Sequence, residues 1–279
     1  MKLRALREDR SRSQLWVEAE ADLGTGYLQR VESGKVAQPE RSTIERVLDA
    51  LDARYTERRD VLSLFGYAVA VPLPTPADLE WARTVSRGEL DAFPFPAYVL
   101  DCTHRLIAWN EHVRRLFGGV ERLTRGSFLA AWFDPTSAVG RLVVEPDVFL
   151  PALIRALRYE MQAFGRERWY ADVLTGLFEL PSFREYWAIV ERQPPAASAA
   201  RALVPMRLAV PTAGVLQFRL SAETFTRDAR FRIVYYFPAD PPTMAYASAV
   251  STRRSPRGVR SSTLPMPRRS SHAPKLESA

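Results

Sequence analysis

LGTGYLQRVESG, residues 23–34, reads as one short helix with a punctuated entry and exit. Gly24 precedes the helix and Thr25 opens it. Tyr27, Leu28 and Val31 fall on one inward stripe, which leaves Gln29, Arg30 and Ser33 pointing away. Gly34 follows as a helix-ending residue that tolerates positive φ. An outward face with Thr25, Gln29 and Arg30 and few carboxylates suits a groove of base edges. Glu32 is the exception, and its repulsion from phosphate predicts that it turns back into the protein. Upstream, Ser13 and Gln14 read as the N-cap and first turn of another helix running to about Ala21. Asp22-Leu23-Gly24 is then a three-residue turn between two short helices. That is the spacing of a helix-turn-helix whose second helix reads DNA. The same spacing also fits a plain α-hairpin with no DNA role.

Outward from this stretch, Leu3 to Arg10 forms a first helix with Leu3 and Leu6 inward. Ser42 to Leu51 forms a fourth, with Ile44, Val47, Leu48 and Leu51 at helical spacing. Thr56 caps a fifth that carries Val61, Leu62, Leu64 and Phe65 and ends at Gly66. Residues 1–67 are thus an all-α five-helix unit. It holds 12 Lys/Arg against 12 Asp/Glu, so any attraction to phosphate must be local. Lys2, Arg4, Arg7, Arg10 and Arg12 cluster at its start, and Arg30 and Lys35 flank the reading helix.

Ser13 to Gly34 resembles the helix-turn-helix of the lambda-repressor/Cro type, the XRE family. The resemblance rests on Ser13-Gln14 and on Tyr27-Leu28 followed by Arg30 to Gly34. Glu18 stands where the family has a small Ala, and Asp22 where it has a turn Gly. The resemblance implies a Gln14 contact to phosphate and places Thr25, Gly26 and Arg30 at base edges. Gln29 and Lys35 join them as DNA-facing positions. Arg30 suits bidentate recognition of guanine, or else serves as a phosphate anchor. Gly26 has no side chain and only permits close approach.

Residues 68–94 read as a linker and connector helix. Val69–Pro76, VAVPLPTP, is stiffened against helix by its prolines. Asp78 to Leu90 follows as a helix, either a connector, which we favour, or part of a dimer interface. Residues 95–238 hold most of the aromatic side chains and show the order strand, strand, helices, strands. Tyr98–Leu100 and Arg105–Trp109 are strands, and Asn110 caps a helix. Helices are predicted over Gly126–Phe133, Glu145–Phe164, Arg168–Leu180 and Ser182–Glu191. Val204–Val210 and Val215–Glu223 flank a hairpin turn, and Arg230–Phe237 is the last strand. The fold expected is an α+β, PAS-like domain: an antiparallel sheet with a helical block.

Six strings in order, PAYVLD (96–101), AWN (108–110), FDP (133–135), SFREYW (182–187), PTAGVL (211–216) and RIVYY (232–236), resemble the MmyB-like regulator ligand-binding domain. The resemblance covers roughly residues 5–240. Val190 and Val210 stand where the family often has histidine, so any polar contact made there in relatives is absent here. A pocket for an apolar, fatty-acid-like molecule is what the resemblance suggests. Tyr98, Trp109, Phe128, Trp132, Phe149, Tyr170 and Trp187 are the candidates to line it; singly, each reads as core.

From Ala239 to Ala279, Ser, Arg and Pro dominate and the apolar residues have no period. That composition predicts a disordered basic tail, binding nucleic acid loosely or merely solvated.

Composition limits the remaining classes. Cys102 is the only cysteine and there are three histidines, which exclude an intrachain disulfide and argue against a zinc site. There is no membrane-length apolar run and no apolar leader in MKLRALREDR. These features predict a cytoplasmic protein with no membrane partner, no metal and no cofactor. The sequence contains no G-x-S-x-G, no Gly-rich phosphate loop and no H-E-x-x-H. Cys102 and His104 lie in a turn with no third group to orient them, so an enzyme is not expected. The reading is a DNA-binding transcriptional regulator, a homodimer on double-stranded operator DNA, whose second domain senses an apolar small molecule. The alternative is that this domain only dimerises or docks a partner protein.

Overall fold

The computed structural model describes residues 2–193 and 203–252. Five helices open the chain: α1 (Lys2–Asp9), α2 (Gln14–Glu20), α3 (Tyr27–Glu32), α4 (Arg41–Ala50) and α5 (Tyr55–Leu64). Leu3, Val17, Leu28, Val31, Ile44, Leu48 and Val61 meet in one core. Ser13 caps α2 as its position predicts, accepting from Trp16 N at 3.1 Å. Asp22 adopts φ +51° in the turn, a left-handed conformation that Asp tolerates but Gly holds at lower cost. Two boundaries differ from the sequence reading. Gly26, not Thr25, is the N-cap of α3, at φ +78°. Arg54, not Thr56, precedes α5, because Glu57 reaches back to accept from Arg54 N at 2.8 Å.

The following helix, α6 (Pro76–Ala92), is capped reciprocally by Thr75 and Asp78. It is not a free connector. Its Leu90 joins Ala97, Val99, Ile107, Ile233 and Tyr235 in a small core that covers one face of the sheet. The proline-rich stretch before it is no spacer either. Val69 packs on the first core and Val71 on the second. Val71 N donates to Glu167 Oε1 at 2.9 Å, and Trp169 Nε1 donates to Val71 O at 2.6 Å. Only Ala70 lies between the two packed residues.

The second domain runs β1 (Ala97–Asp101), β2 (Leu106–Trp109), α7 (Glu111–Phe117), α8 (Phe128–Phe133), α9 (Pro146–Phe164), α10 (Arg168–Phe178) and α11 (Pro181–Glu191). It closes with β3 (Val204–Val210), β4 (Gly214–Thr224) and β5 (Phe231–Pro238). The sheet is antiparallel in the order β2-β1-β5-β4-β3. The last strand therefore lies beside the first, with Tyr98 opposite Val234. Side chains alternate across the sheet: Ile233 and Tyr235 meet α6, while Val234 and Tyr236 meet the helical block. Asn110 ties the strands to α6. Its Oδ1 accepts from Ala97 N and Val113 N, both at 3.2 Å, and its Nδ2 donates to Phe95 O at 2.7 Å.

Disorder from Ala239 onward is corrected by α12 (Pro241–Thr252). Asp240 Oδ1 accepts from Thr243 N at 2.9 Å. Thr243 and Ala247, one helical turn apart, are buried against β4 and β5. The apolar period was too short to read in the sequence. The rest of the expected tail, 253–279, lies outside the described residues.

Candidate functional site

The outward face of α3 is built by what holds its inward face. Leu28 and Val31 are buried. Glu32 turns inward as its charge predicts: Arg7 Nε and Nη2 donate to its two oxygens at 2.8 and 2.9 Å. Gln14 Nε2 donates to the same carboxylate at 2.7 Å. One N–H of the amide expected at a phosphate is thus committed within the protein. Glu18 resolves the departure noted in α2. It is buried, and its oxygens accept from Gly26 N at 3.0 Å and Leu28 N at 2.8 Å. A carboxylate from the neighbouring helix thereby caps α3, whose own N-cap glycine offers no side chain. The signal was present in the sequence as a charge at an apolar position, eight residues before a glycine.

Thr25, Gln29, Arg30 and Lys35 are exposed, and Gly26 is half-buried. Gly34 ends α3 at φ +76°, as read. The Arg30 guanidinium lies 5.6 Å from the Tyr27 ring centroid and has no carboxylate partner among the described residues. The basic cluster at the start of the chain fares differently. Lys2 pairs with Asp60, Arg4 with Glu8, Arg7 with Glu32, and Arg10 with Asp9 and Glu57. Four of those five charges are therefore offset internally, which corrects the expectation of a general basic patch. Arg12 stacks at 4.1 Å on Trp16. Arg12, Arg30 and Lys35 remain as cations without a carboxylate partner among the described residues.

In the second domain the seven aromatic candidates lie in or against one core and fall into separate ring groups. Tyr98, Phe128, Trp132 and Phe149 form an edge-to-face chain, with successive ring centroids 5.0, 5.6 and 5.1 Å apart. Such contacts fill space rather than leave it. Tyr170 packs elsewhere, against Phe164 and Trp169. Trp187 packs against Phe178 and Phe183, and Trp109 sits half-buried at the margin of the core. Spacing places a large side chain inward but does not say whether space is left beside it.

A cleft lies beneath the interdomain segment. About 570 Å³ in volume, it is lined by Leu73 and Pro74, by Thr103 and Arg105 of the β1–β2 turn, by Gly126, Ser127 and Ala130, and by Asp172, Val173, Gly176 and Leu177 of α10. That volume suits a small ligand. Arg105 is held at its rim, donating through Nε and Nη2 to Asp101 Oδ2 at 3.1 and 2.9 Å.

Next to this turn is a buried polar knot. Arg232 donates to His104 Nδ1 and pairs with Glu160. His104 Nδ1 is therefore an acceptor, and the proton sits on Nε2, which faces Glu160 Oε2 at 3.4 Å without the alignment of a hydrogen bond. Burial first, and then the Arg232 charge, hold the His104 imidazole well below its ordinary pKa. Burial, and then the Asp101 carboxylate, push the Cys102 thiol up to about 12. A thiol so placed is not a nucleophile at neutral pH. Among the described residues no helix is long and apolar enough to cross a membrane.

Two family models match the chain. A family model described as a helix-turn-helix domain matches residues 1–61. Another, described as the MmyB-like transcription regulator ligand binding domain, matches residues 83–249. The second match ends within α12, in keeping with its packing on the sheet. No curated protein matches the chain.

Proposed function

We propose, for a chain that belongs to the MmyB-like transcription regulators, that it binds operator DNA as a homodimer through α3 and answers to an apolar, fatty-acid-like molecule held by its second domain. The observation that carries the DNA reading is the division of charge on α3. Glu32 is withdrawn onto Arg7, while Arg30 stands exposed among Thr25, Gln29 and Lys35 with no carboxylate partner among the described residues. Base edges are read by such side chains in the major groove, and in this reading Gln14, Lys35 and Arg12 supply phosphate contacts. Selecting a preferred duplex from a random pool and titrating it by fluorescence anisotropy tests the reading. Arg30→Ala should weaken binding by about 1–3 kcal/mol and relax preference at one base pair. An equal loss on every sequence would make Arg30 a phosphate anchor.

The family match and the cleft under Leu73–Pro74 support the ligand reading. Native mass spectrometry of the protein purified from its host reports dimer mass and bound ligand together. The rival reading, a domain that only dimerises or docks a protein, is favoured by the tight aromatic chain Tyr98–Phe128–Trp132–Phe149. It prevails if no apolar compound co-purifies and none raises the melting temperature.

A further inference from the structure

The wall of the cleft adjoins, in the chain, the contact that joins the domains. Leu73 and Pro74 line the cleft, and the carbonyl of Pro72 accepts from Arg230 Nη1 at 3.4 Å. Arg230 is 2% exposed. Asp228 holds it through Nε at 3.0 Å and Nη2 at 2.7 Å, and Asp78 of α6 lies 3.2 Å from the same Nη2. The guanidinium so fixed lies 4.2 Å from the ring centroid of Tyr55, the first residue of α5 in the DNA-binding domain. A cation held by two carboxylates against an aromatic face makes a directional contact, stronger for being removed from water.

The opposite wall of the cleft holds the same segment. Glu167 and Trp169, which grip Val71, flank and begin α10, and α10 contributes Asp172, Val173, Gly176 and Leu177 to the cleft. Between this grip and the first domain stands only Ala70, since Val69 already packs on the first core. An occupant that parts Leu73–Pro74 from α10 must therefore draw Val71 and Pro72 with it or lose their hydrogen bonds. Either change alters the seat of Arg230 against Tyr55.

We propose that the cleft beneath Leu73–Pro74 is the effector site and that Arg230 and Tyr55 form a latch that passes its occupancy to the DNA-binding domain. The inference rests on the reading that the second domain takes a small molecule. The latch fixes the orientation of α3 relative to the sheet while the cleft is empty, and filling the cleft releases it. Linkage makes the effect mutual: operator binding must change the affinity of the occupant by the same factor.

The latch can be tested in the full chain without any ligand. Gly176 lines the cleft and has open space where a Cβ would stand, so Gly176→Trp fills the cleft from within, and Gly176→Ala is its control. Spin labels at Ser42→Cys and Glu185→Cys, both exposed positions, report the distance between domains; Cys102 is buried. Gly176→Trp and Tyr55→Ala should each broaden and shift that distance and change affinity for the selected duplex about fivefold or more. Tyr55→Phe, which keeps the ring, should behave as the parent, and the double variant should add nothing to either single one. Circular dichroism confirms that α5 still folds in each. Unchanged distance and affinity in both Gly176→Trp and Tyr55→Ala overturn the latch. Sodium decanoate, titrated by thermal shift, tests the other half. If it binds the parent and competes with Gly176→Trp, the cleft is the site. Binding that Gly176→Trp leaves intact puts the site elsewhere and overturns this assignment. If it fails to bind while the variants move the domains, the latch stands and the apolar-ligand reading falls.

Discussion

The two domains are held by different chemistry. In the first, the reading helix is fixed by charge: Arg7, Gln14 and Glu32 on one side, and Glu18 on the backbone of Gly26 and Leu28 on the other. In the second, rings hold rings, and buried charges stand beside them at two places, the knot of His104, Glu160 and Arg232 and the pair of Arg230 and Asp228. Ionic contacts are directional, and they orient a helix that must meet a partner at a set angle. Aromatic contacts tolerate repacking, which suits a domain expected to yield to a ligand. The cost of losing each kind also differs. Removing one partner of a buried ion pair strands a charge, whereas removing a ring leaves a cavity.

Four substitutions would break or sharpen this contrast, and the largest effect is expected at Glu32. Glu32→Ala leaves the buried Arg7 with the carbonyl of Arg12 and the more distant Glu8 carboxylate, 3.7 Å away, and should cost about 3 kcal/mol. Calorimetry should show the first domain melting early and the second little changed; a joint loss would mean that the domains share one transition. Phe128→Ala should cost a similar or slightly smaller amount, about 3 kcal/mol, confined to the second domain. Glu18→Ala strands the amides of Gly26 and Leu28 and should cost about 2 kcal/mol; intact stability in urea unfolding would refute its role as a cap. Asp22→Gly should gain up to about 1 kcal/mol by easing the left-handed turn, visible as a higher melting temperature of the first domain.

Acid should separate the domains again. The His104 pKa is depressed in the folded state by burial and by Arg232, with Glu160 facing its other nitrogen. The unfolded chain therefore binds a proton that the folded chain does not. The stability from this group is full above the unfolded pKa of about 6.5 and falls below it, by up to about 1.4 kcal/mol per pH unit. His104→Asn should flatten that slope in chemical denaturation of the second domain. A slope that survives the substitution would place the proton elsewhere.

Legibility followed the distance over which contacts form. The helix-turn-helix was readable because its determinants lie close together: Ser13 on Trp16, Leu28 beside Val31, and Gly34 at the helix end. Even the inward turn of Glu32 followed from charge alone. The role of Glu18 did not, because an acidic residue at an apolar position reads as a departure until its two amide partners are known. In the second domain the strands were placed within one or two residues, yet nothing local says that β5 lies between β1 and β4. The ring packing was legible only in part for a related reason: Tyr98, Trp132 and Trp187 are inward by pattern, but which rings meet, and that a cleft opens under Leu73, follows only from three-dimensional packing. The helix α12 was missed because its two fully buried residues, Thr243 and Ala247, are small and only Tyr246 beside them brings a large side chain to the core.

The pairing of β1 with β5 also orders events during synthesis. The hydroxyls of Tyr98 and Tyr236 meet at 3.4 Å although 138 positions separate them in the chain. The sheet cannot close at its centre until its last strand has left the ribosome, and closure across so long a loop is slow. The five-helix unit has all its own contacts by residue 69 and can fold while the rest is still being made. Each new molecule thus passes through an interval in which a finished helix-turn-helix unit is tethered to an unfinished ligand-binding domain.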